Sequence, residues 1–290
     1  MADLTAGPFL TSCARTDVGM RRSSNEDAFV LVDVDAPATA MACSGQRIEI
    51  AGKRMLLALS DGMGGAAAGE VASCLALSTL VRELHRSSNE RMDRALEAAV
   101  HVANARVLEA ASCAGRQGMG ATLTAVVIVD DIAWIAEVGD SRAYLLRDRQ
   151  LHQLTRDQSY VQMLVDMGAI SEEEAKDSPK KNVILQAVGT ATELRVALGR
   201  LSLRRGDRLL LCSDGLSNEL DDRELAELLT RNPPDVACEH AIESANQHGG
   251  RDNVTAIVAV LDGDALPLAE ANEPLTLTHS VLQEFSGSPR

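Results

Sequence analysis

Acidic side chains stand at four places in this 290-residue chain where an apolar run begins or ends. The stretch LLALSDGMGGAAAGE at 56–70 breaks off at Asp61 and crowds Gly62, Gly64 and Gly65 into the next four positions. RRSSNEDAF sets Glu26 and Asp27 just before a run, LLLCSDG sets Asp214 at the end of another, and GGRDNVTAIV sets Asp252 at the start of the last. Singly, each such place has three readings. A glycine-rich turn can offer free N–H groups to a phosphate. An acid beside bare backbone can hold a cation that a carbonyl also reaches. The turn can also be nothing more than a helix cap with glycines at positive φ. Jointly, the placement favours the cation. If these strands lie side by side, the acids collect at one rim of a sheet, and they cannot all ionise there without compensating positive charge. All-oxygen donors select hard divalent ions such as Mg²⁺ or Mn²⁺.

The elements that must position these acids are legible as periodicity. Short β-type runs occur at 28–34, 55–60, 122–129, 132–138, 141–146, 208–213 and 253–261. The runs between 122 and 154 follow one another almost without linkers, which antiparallel hairpins permit and parallel crossovers do not. Two helical stripes lie between, one through Val71, Cys74, Leu77, Val81 and Leu84, the other through Met92, Leu96, Ala99, Ala103 and Val107. A second helical pair is expected at 221–230 and 234–247, where Pro233 and Pro234 mark a start. Strand clusters alternating with helix pairs predict an α+β layered domain. The segment 155–199 fits no strand pattern, and a connection of that length in a compact domain is usually functional. After Leu261 the apolar pattern ends, so residues 263–290 read as a flexible tail on a domain spanning 1–262.

Composition narrows the partners. With 42 acidic and 28 basic residues the net charge is −14, and aromatics make up 2%, so both the basic footprint and the stacking platform for nucleic acid are missing. The six cysteines form no C-x-x-C pair and read as small buried hydrophobes in a reducing compartment. No run approaches the length needed to span a bilayer, and no signal-peptide pattern opens the chain, so a cytoplasmic protein is expected. Thiol-dependent phosphate chemistry would need an Arg six residues after a Cys; those positions hold Gly19, Glu49, Leu80, Met119, Asn218 and Ser244. The GDxHG and GNHE settings of calcineurin-like metallophosphatases are absent as well.

RSSNEDAF, SDGMGG, GMGATLTAVVI, EVGDSRAYLL, LTRDQSYVQ, LLLCSDGLS and GGRDNVTAIVA occur together, in this order, over residues 10–261. In these motifs the chain resembles the metal-dependent Ser/Thr protein phosphatases of the PP2C-like (PPM) family, in its bacterial form. The resemblance implies a central β-sandwich of mostly antiparallel sheets flanked by helix pairs, in α/β/β/α layers. It implies that Asp61 bridges two Mn²⁺ or Mg²⁺ ions and that the Gly62 carbonyl binds one of them. Glu26, Asp214 and Asp252 would bind the other, and Asp27 would orient waters from behind them. Arg22 matches the phosphate-clamping arginine, whereas Arg21 reads as a surface charge. Met63 stands where eukaryotic relatives carry a histidine, so water would protonate the leaving group. Gln117 stands where many relatives hold a third ion with Asp, which makes that site doubtful. The GDSR turn at 139–142 reads as structural, with Asp140 bonded to its own backbone. The segment 155–199 corresponds to the flap beside the active site. The implied activity is hydrolysis of phosphoserine and phosphothreonine in proteins by a monomer that opposes a bacterial Ser/Thr kinase. The alternative is a weak or inactive phosphoprotein-binding module on the same fold.

Overall fold

The computed structural model describes residues 7–36, 47–87, 91–270, 273 and 275–279. In chain order the first strands are β1 (Phe9–Asp17), β2 (Ala28–Asp33), β3 (Arg47–Glu49), β4 (Arg54–Ser60) and the two-residue β5 (Gly62–Met63). Two long helices follow, α1 (Ala66–Arg86) and α2 (Met92–Ala111). The next strands are β6 (Gly120–Ala121), β7 (Leu123–Val129), β8 (Ile132–Val138), β9 (Arg142–Arg147) and β10 (Gln150–Gln153). The short helices α3 (Tyr160–Asp166) and α4 (Glu172–Lys176) precede β11 (Ala197–Ser202) and β12 (Arg208–Cys212). The chain then forms the single turn α5 (Asp214–Ser217), the pair α6 (Asp222–Arg231) and α7 (Pro234–Gln247), β13 (Val254–Asp262) and β14 (Thr278–His279).

Two six-stranded sheets result, ordered β10-β9-β12-β13-β1-β3 and β14-β11-β8-β7-β4-β2, with every described pairing antiparallel. They face one another across an aliphatic layer that includes Leu57, Leu59, Val126, Ile135, Leu209 and Ile257. Helices α1 and α2 cover the outer face of the second sheet, and α6 and α7 cover that of the first. These are the expected α/β/β/α layers. With both faces covered, β4 is buried at all seven positions, which is why it reads as a continuous apolar run rather than an alternation. Capping chemistry sets the late helices: Asp221 and Glu224 form a capping box on α6, and Pro234 occupies the first turn of α7.

Several expectations need correction. On α1 the fully buried stripe runs through Ala72, Ala76 and Leu80 beside Leu77 and Leu84, while Cys74 is exposed. The alanines let α1 lie close to the sheet, so the larger residues flank the contact line rather than mark it. β1 was not anticipated, because FLTSCARTD is too polar to read as a strand, although it sits between β13 and β3. β11 begins inside the 155–199 segment. The cysteines are not all thiols: Cys13 is disulfide-bonded. Cys113 is exposed, while Cys212 and Cys238 are buried. The described residues of the tail contact the domain. Leu266 is buried, Arg204 pairs with Glu273, and β14 covers the edge of β11 at Gly199 and Arg200.

Candidate metal centre

The acidic positions come from both sheets. Glu26 and Asp27 lead into β2, Asp61 joins β4 to β5, Asp214 opens α5 directly after β12, and Asp252 precedes β13. Glu26 is held at both ends of its peptide unit. Its N–H donates to Asn253 Oδ1 at 2.8 Å, and its carbonyl accepts from Ser73 Oγ of α1 at 2.6 Å and from Gly62 N–H at 3.2 Å. Asn253 spends its own amide nitrogen on the carbonyls of Val18 and Ser24, which fixes the loop that carries Arg22. Asp61 donates its N–H to Thr122 Oγ1 at 2.9 Å and accepts at its carbonyl from Thr122 N–H at 2.8 Å.

Asp27 lies behind these residues. Its Oδ2 accepts from Thr255 Oγ1 at 2.6 Å and Ser213 Oγ at 2.8 Å, and burial, with Asp214 and Asp252 nearby, pushes its carboxyl up to about 7. Asp214 is pushed up to about 6 by burial and by Asp252. Asp61 is raised well above the carboxylate range by burial and by Asp27, Asp214, Asp140 and Asp252. Glu26 is raised by burial, against the pull of Arg22. The shared cause is negative charge brought together under cover.

The glycines have a packing reason that sequence spacing did not supply. A Cβ on Gly62 would stand 2.2 Å from the Gly69 carbonyl oxygen and 2.6 Å from that of Glu26. A Cβ on Gly69, in the first turn of α1, would stand 1.8 Å from Glu26 Oε2. The bare backbone thus lets α1 close on the Glu26 carboxylate.

Asp140 belongs to the same rim and was missed as a member of it. It is buried, it acts on Asp61, and burial together with Asp214 and Asp157 pushes it up to about 8. The signal was present: Asp140 stands just past a strand end beside a glycine, as Asp61 does. Gln117 is not brought to the rim by its contacts. It is exposed, and its amide oxygen accepts from Gly115 N–H at 3.1 Å within its own turn. Arg22 is at the rim, half exposed, with its guanidinium 2.6 Å from Asp252 Oδ2.

A divalent cation suits this donor set. Asp27 Oδ1 and Asp214 Oδ1 are buried without a hydrogen-bond partner, and Arg22 is one cation among six acids. Among the described residues no three acidic groups are already closed on a common point. The acids are near enough to raise one another's pKa, and Asp252 is hydrogen-bonded to Arg22.

The chain is similar to known proteins over most of its length. A family model described as protein phosphatase 2C matches residues 44–263. Serine/threonine protein phosphatase PstP of Mycobacterium tuberculosis is 40% identical over 259 residues, which are 88% of this chain and 46% of that protein. The chain therefore spans about half the length of that relative. Protein phosphatase PhpP of Streptococcus pneumoniae is 34% identical over 255 residues, 86% of this chain and 97% of that protein. The crystal structure of the PstP catalytic domain in complex with two manganese ions matches with a TM-score of 0.73 at 37% identity, covering 88% of this chain and 99% of that one.

Proposed function

The chain belongs to the protein phosphatase 2C family, and on that premise we propose that it hydrolyses phosphoserine and phosphothreonine in proteins with the help of two divalent ions. The observation that carries this reading is the rim itself: acids from both sheets raise one another's pKa around buried, unpartnered carboxylate oxygens. Glu26, Asp61, Asp214, Asp252 and the Gly62 carbonyl would hold Mn²⁺ or Mg²⁺. When bound, such a pair of ions supplies a strongly nucleophilic water at neutral pH and positive charge for the phosphoryl oxygens.

The chain's own groups do the rest. Arg22 exchanges Asp252 for the substrate phosphate, which its planar fork can grip at two oxygens. Asp27 is fixed at one oxygen by Ser213 and Thr255 and leaves its other oxygen buried without a partner, free to hold a water beside Asp214. Met63 has no proton to give, so the leaving alkoxide takes its proton from water. Cys212 and Cys238 take no part, since burial pushes both thiols up to about 12. A third ion is not part of this reading, because Gln117 is neutral and spends its amide oxygen on Gly115.

The natural substrates are phosphoproteins made by a partner Ser/Thr kinase, and the protein acts as a cytoplasmic monomer. No described helix is long and apolar enough to cross a membrane. The catalytic domain is residues 1–262, with the docked strap to His279 as its edge. The test is phosphate release from phosphothreonine and phosphoserine peptides in Mn²⁺. Turnover is expected; tight peptide binding without turnover would favour a phosphoprotein-binding module instead.

A further inference from the structure

Gln158 lies between β10 and α3, at the root of the flap, and only 6% of it is exposed. Its side chain and backbone together make five hydrogen bonds to two separate parts of the chain. Its N–H donates to the Gly139 carbonyl at 2.8 Å, and its amide oxygen accepts from Gly139 N–H at 3.0 Å. Its amide nitrogen donates to the Glu137 carbonyl at 3.3 Å. On the other side its carbonyl accepts from Leu185 N–H at 2.7 Å, and its amide oxygen accepts a second bond from Gln186 Nε2 at 3.2 Å. Gln186 in turn grips both backbone groups of Arg195, at 2.9 and 3.2 Å, just ahead of β11. One buried amide thus joins the returning limb of the flap to the turn after β8.

That turn reaches the acidic rim in two further steps. It carries Asp140 itself. Gly139, at φ +107, packs so closely on Thr122 that a Cβ would stand 2.7 Å from the threonine methyl. Ser141 shares a 2.8 Å hydroxyl bond with Thr122, and the same Thr122 hydroxyl accepts from Asp61 N–H. A continuous set of hydrogen bonds and close contacts therefore runs from Leu185 and Gln186 through Gln158, Gly139 and Thr122 to Asp61. Apart from Leu185, which is exposed, the residues along it are buried or half-buried, where a polar group left without its partner costs most.

We propose that Gln158 is a positioning residue that fixes the flap relative to Asp61 and Asp140, so that substrate contacts on the flap and metal binding at the rim are set by one side chain. The proposal rests on the phosphatase reading for its kinetic arm and on the geometry alone for its binding arm. Gln158→Met keeps the volume and removes the amide. It should weaken Mn²⁺ binding in calorimetry by roughly tenfold, the lower end of what losing a group behind a metal ligand costs. It should also lower kcat for p-nitrophenyl phosphate and raise KM for a phosphothreonine peptide. Gln186→Met removes the side-chain bonds of Gln186 to Gln158 and Arg195 and leaves those of Gln158 to Gly139 and Glu137. It should raise KM for a phosphothreonine peptide while Mn²⁺ affinity and p-nitrophenyl phosphate turnover stay within about twofold. The double variant should show less than the sum of the two effects on peptide KM. Circular dichroism and a cooperative melt establish that each variant is folded. Should Gln158→Met fail to fold, Gln158→Asn, which keeps the amide but shortens its reach, replaces it with the same expectations. A folded Gln158 variant with wild-type Mn²⁺ affinity would overturn the proposal, and so would strict additivity. If the wild type binds Mn²⁺ but turns over nothing, the phosphatase reading falls while the calorimetry still judges Gln158.

Discussion

Asp27, Asp140 and Asp214 carry the same tension in different degree. Burial and neighbouring acids push them up to about 7, 8 and 6, so the folded chain holds protons that the unfolded chain would release near 4. A carboxyl raised on folding contributes stability that is complete below its unfolded pKa and is lost as pH rises through the folded value. In EDTA the melting temperature should therefore fall from about pH 5 to about pH 8, and added Mn²⁺, which favours the ionised carboxylates, should remove that fall. Thermal unfolding across this range checks it, and a flat profile in EDTA would contradict it. By the same logic Asp61→Asn and Asp214→Asn should melt higher than wild type in EDTA. Their rate losses should exceed the roughly 10- to 100-fold typical of a residue behind a ligand. Cys212→Ser should leave turnover within about twofold and cost on the order of 1–3 kcal/mol, the cost of burying a hydroxyl in an apolar setting. Its rate and its chemical denaturation midpoint measure the two effects separately. At this scale the ligand candidates were legible because acids next to glycines at strand ends are chemically conspicuous. Asp140 was not, because a GDSR turn explains an aspartate equally well without any function.

At the scale of elements, α1 is as much a part of the site as any strand. Its first turn reaches Glu26 through the bare backbone at Gly69, and Ser73 one turn later holds the Glu26 carbonyl. Gly69→Ala should push the Glu26 carboxylate aside and weaken Mn²⁺ binding by about tenfold or more, with the helix itself slightly favoured by alanine. Calorimetric Mn²⁺ affinity, set beside the melting temperature in EDTA, separates the two effects. An affinity equal to wild type would show that Glu26 does not face the ion. Helix α2 was legible almost residue by residue, since Leu96, Ala99, Ala103 and Val107 form one stripe and are all buried. The α1 stripe was displaced because its contact line is made of alanines, which carry little weight in a hydrophobic pattern. β1 and β11 stayed hidden for a related reason. Their residues are Thr, Ser, Arg and Gly as often as aliphatics, and what fixes them is pairing with β13 and β8.

Across the whole molecule, the two sheets exist to bring strand ends from distant parts of the sequence to one rim. Glu26 and Asn253 are 227 positions apart and hydrogen-bonded at 2.8 Å. No local pattern encodes that meeting, and it was the order of seven motifs that made it legible. The docked strap to His279 escaped notice because its hold on the core depends on an ion pair and two edge bridges rather than on periodicity. The account's central claim is that the converging acids work only with divalent ions between them. The direct measurement is phosphate release from a phosphothreonine peptide before EDTA, after EDTA with exhaustive dialysis, and after Mn²⁺ is restored. The account predicts turnover, then none, then recovery that saturates with Mn²⁺. Turnover that persists at full rate after metal removal would contradict it.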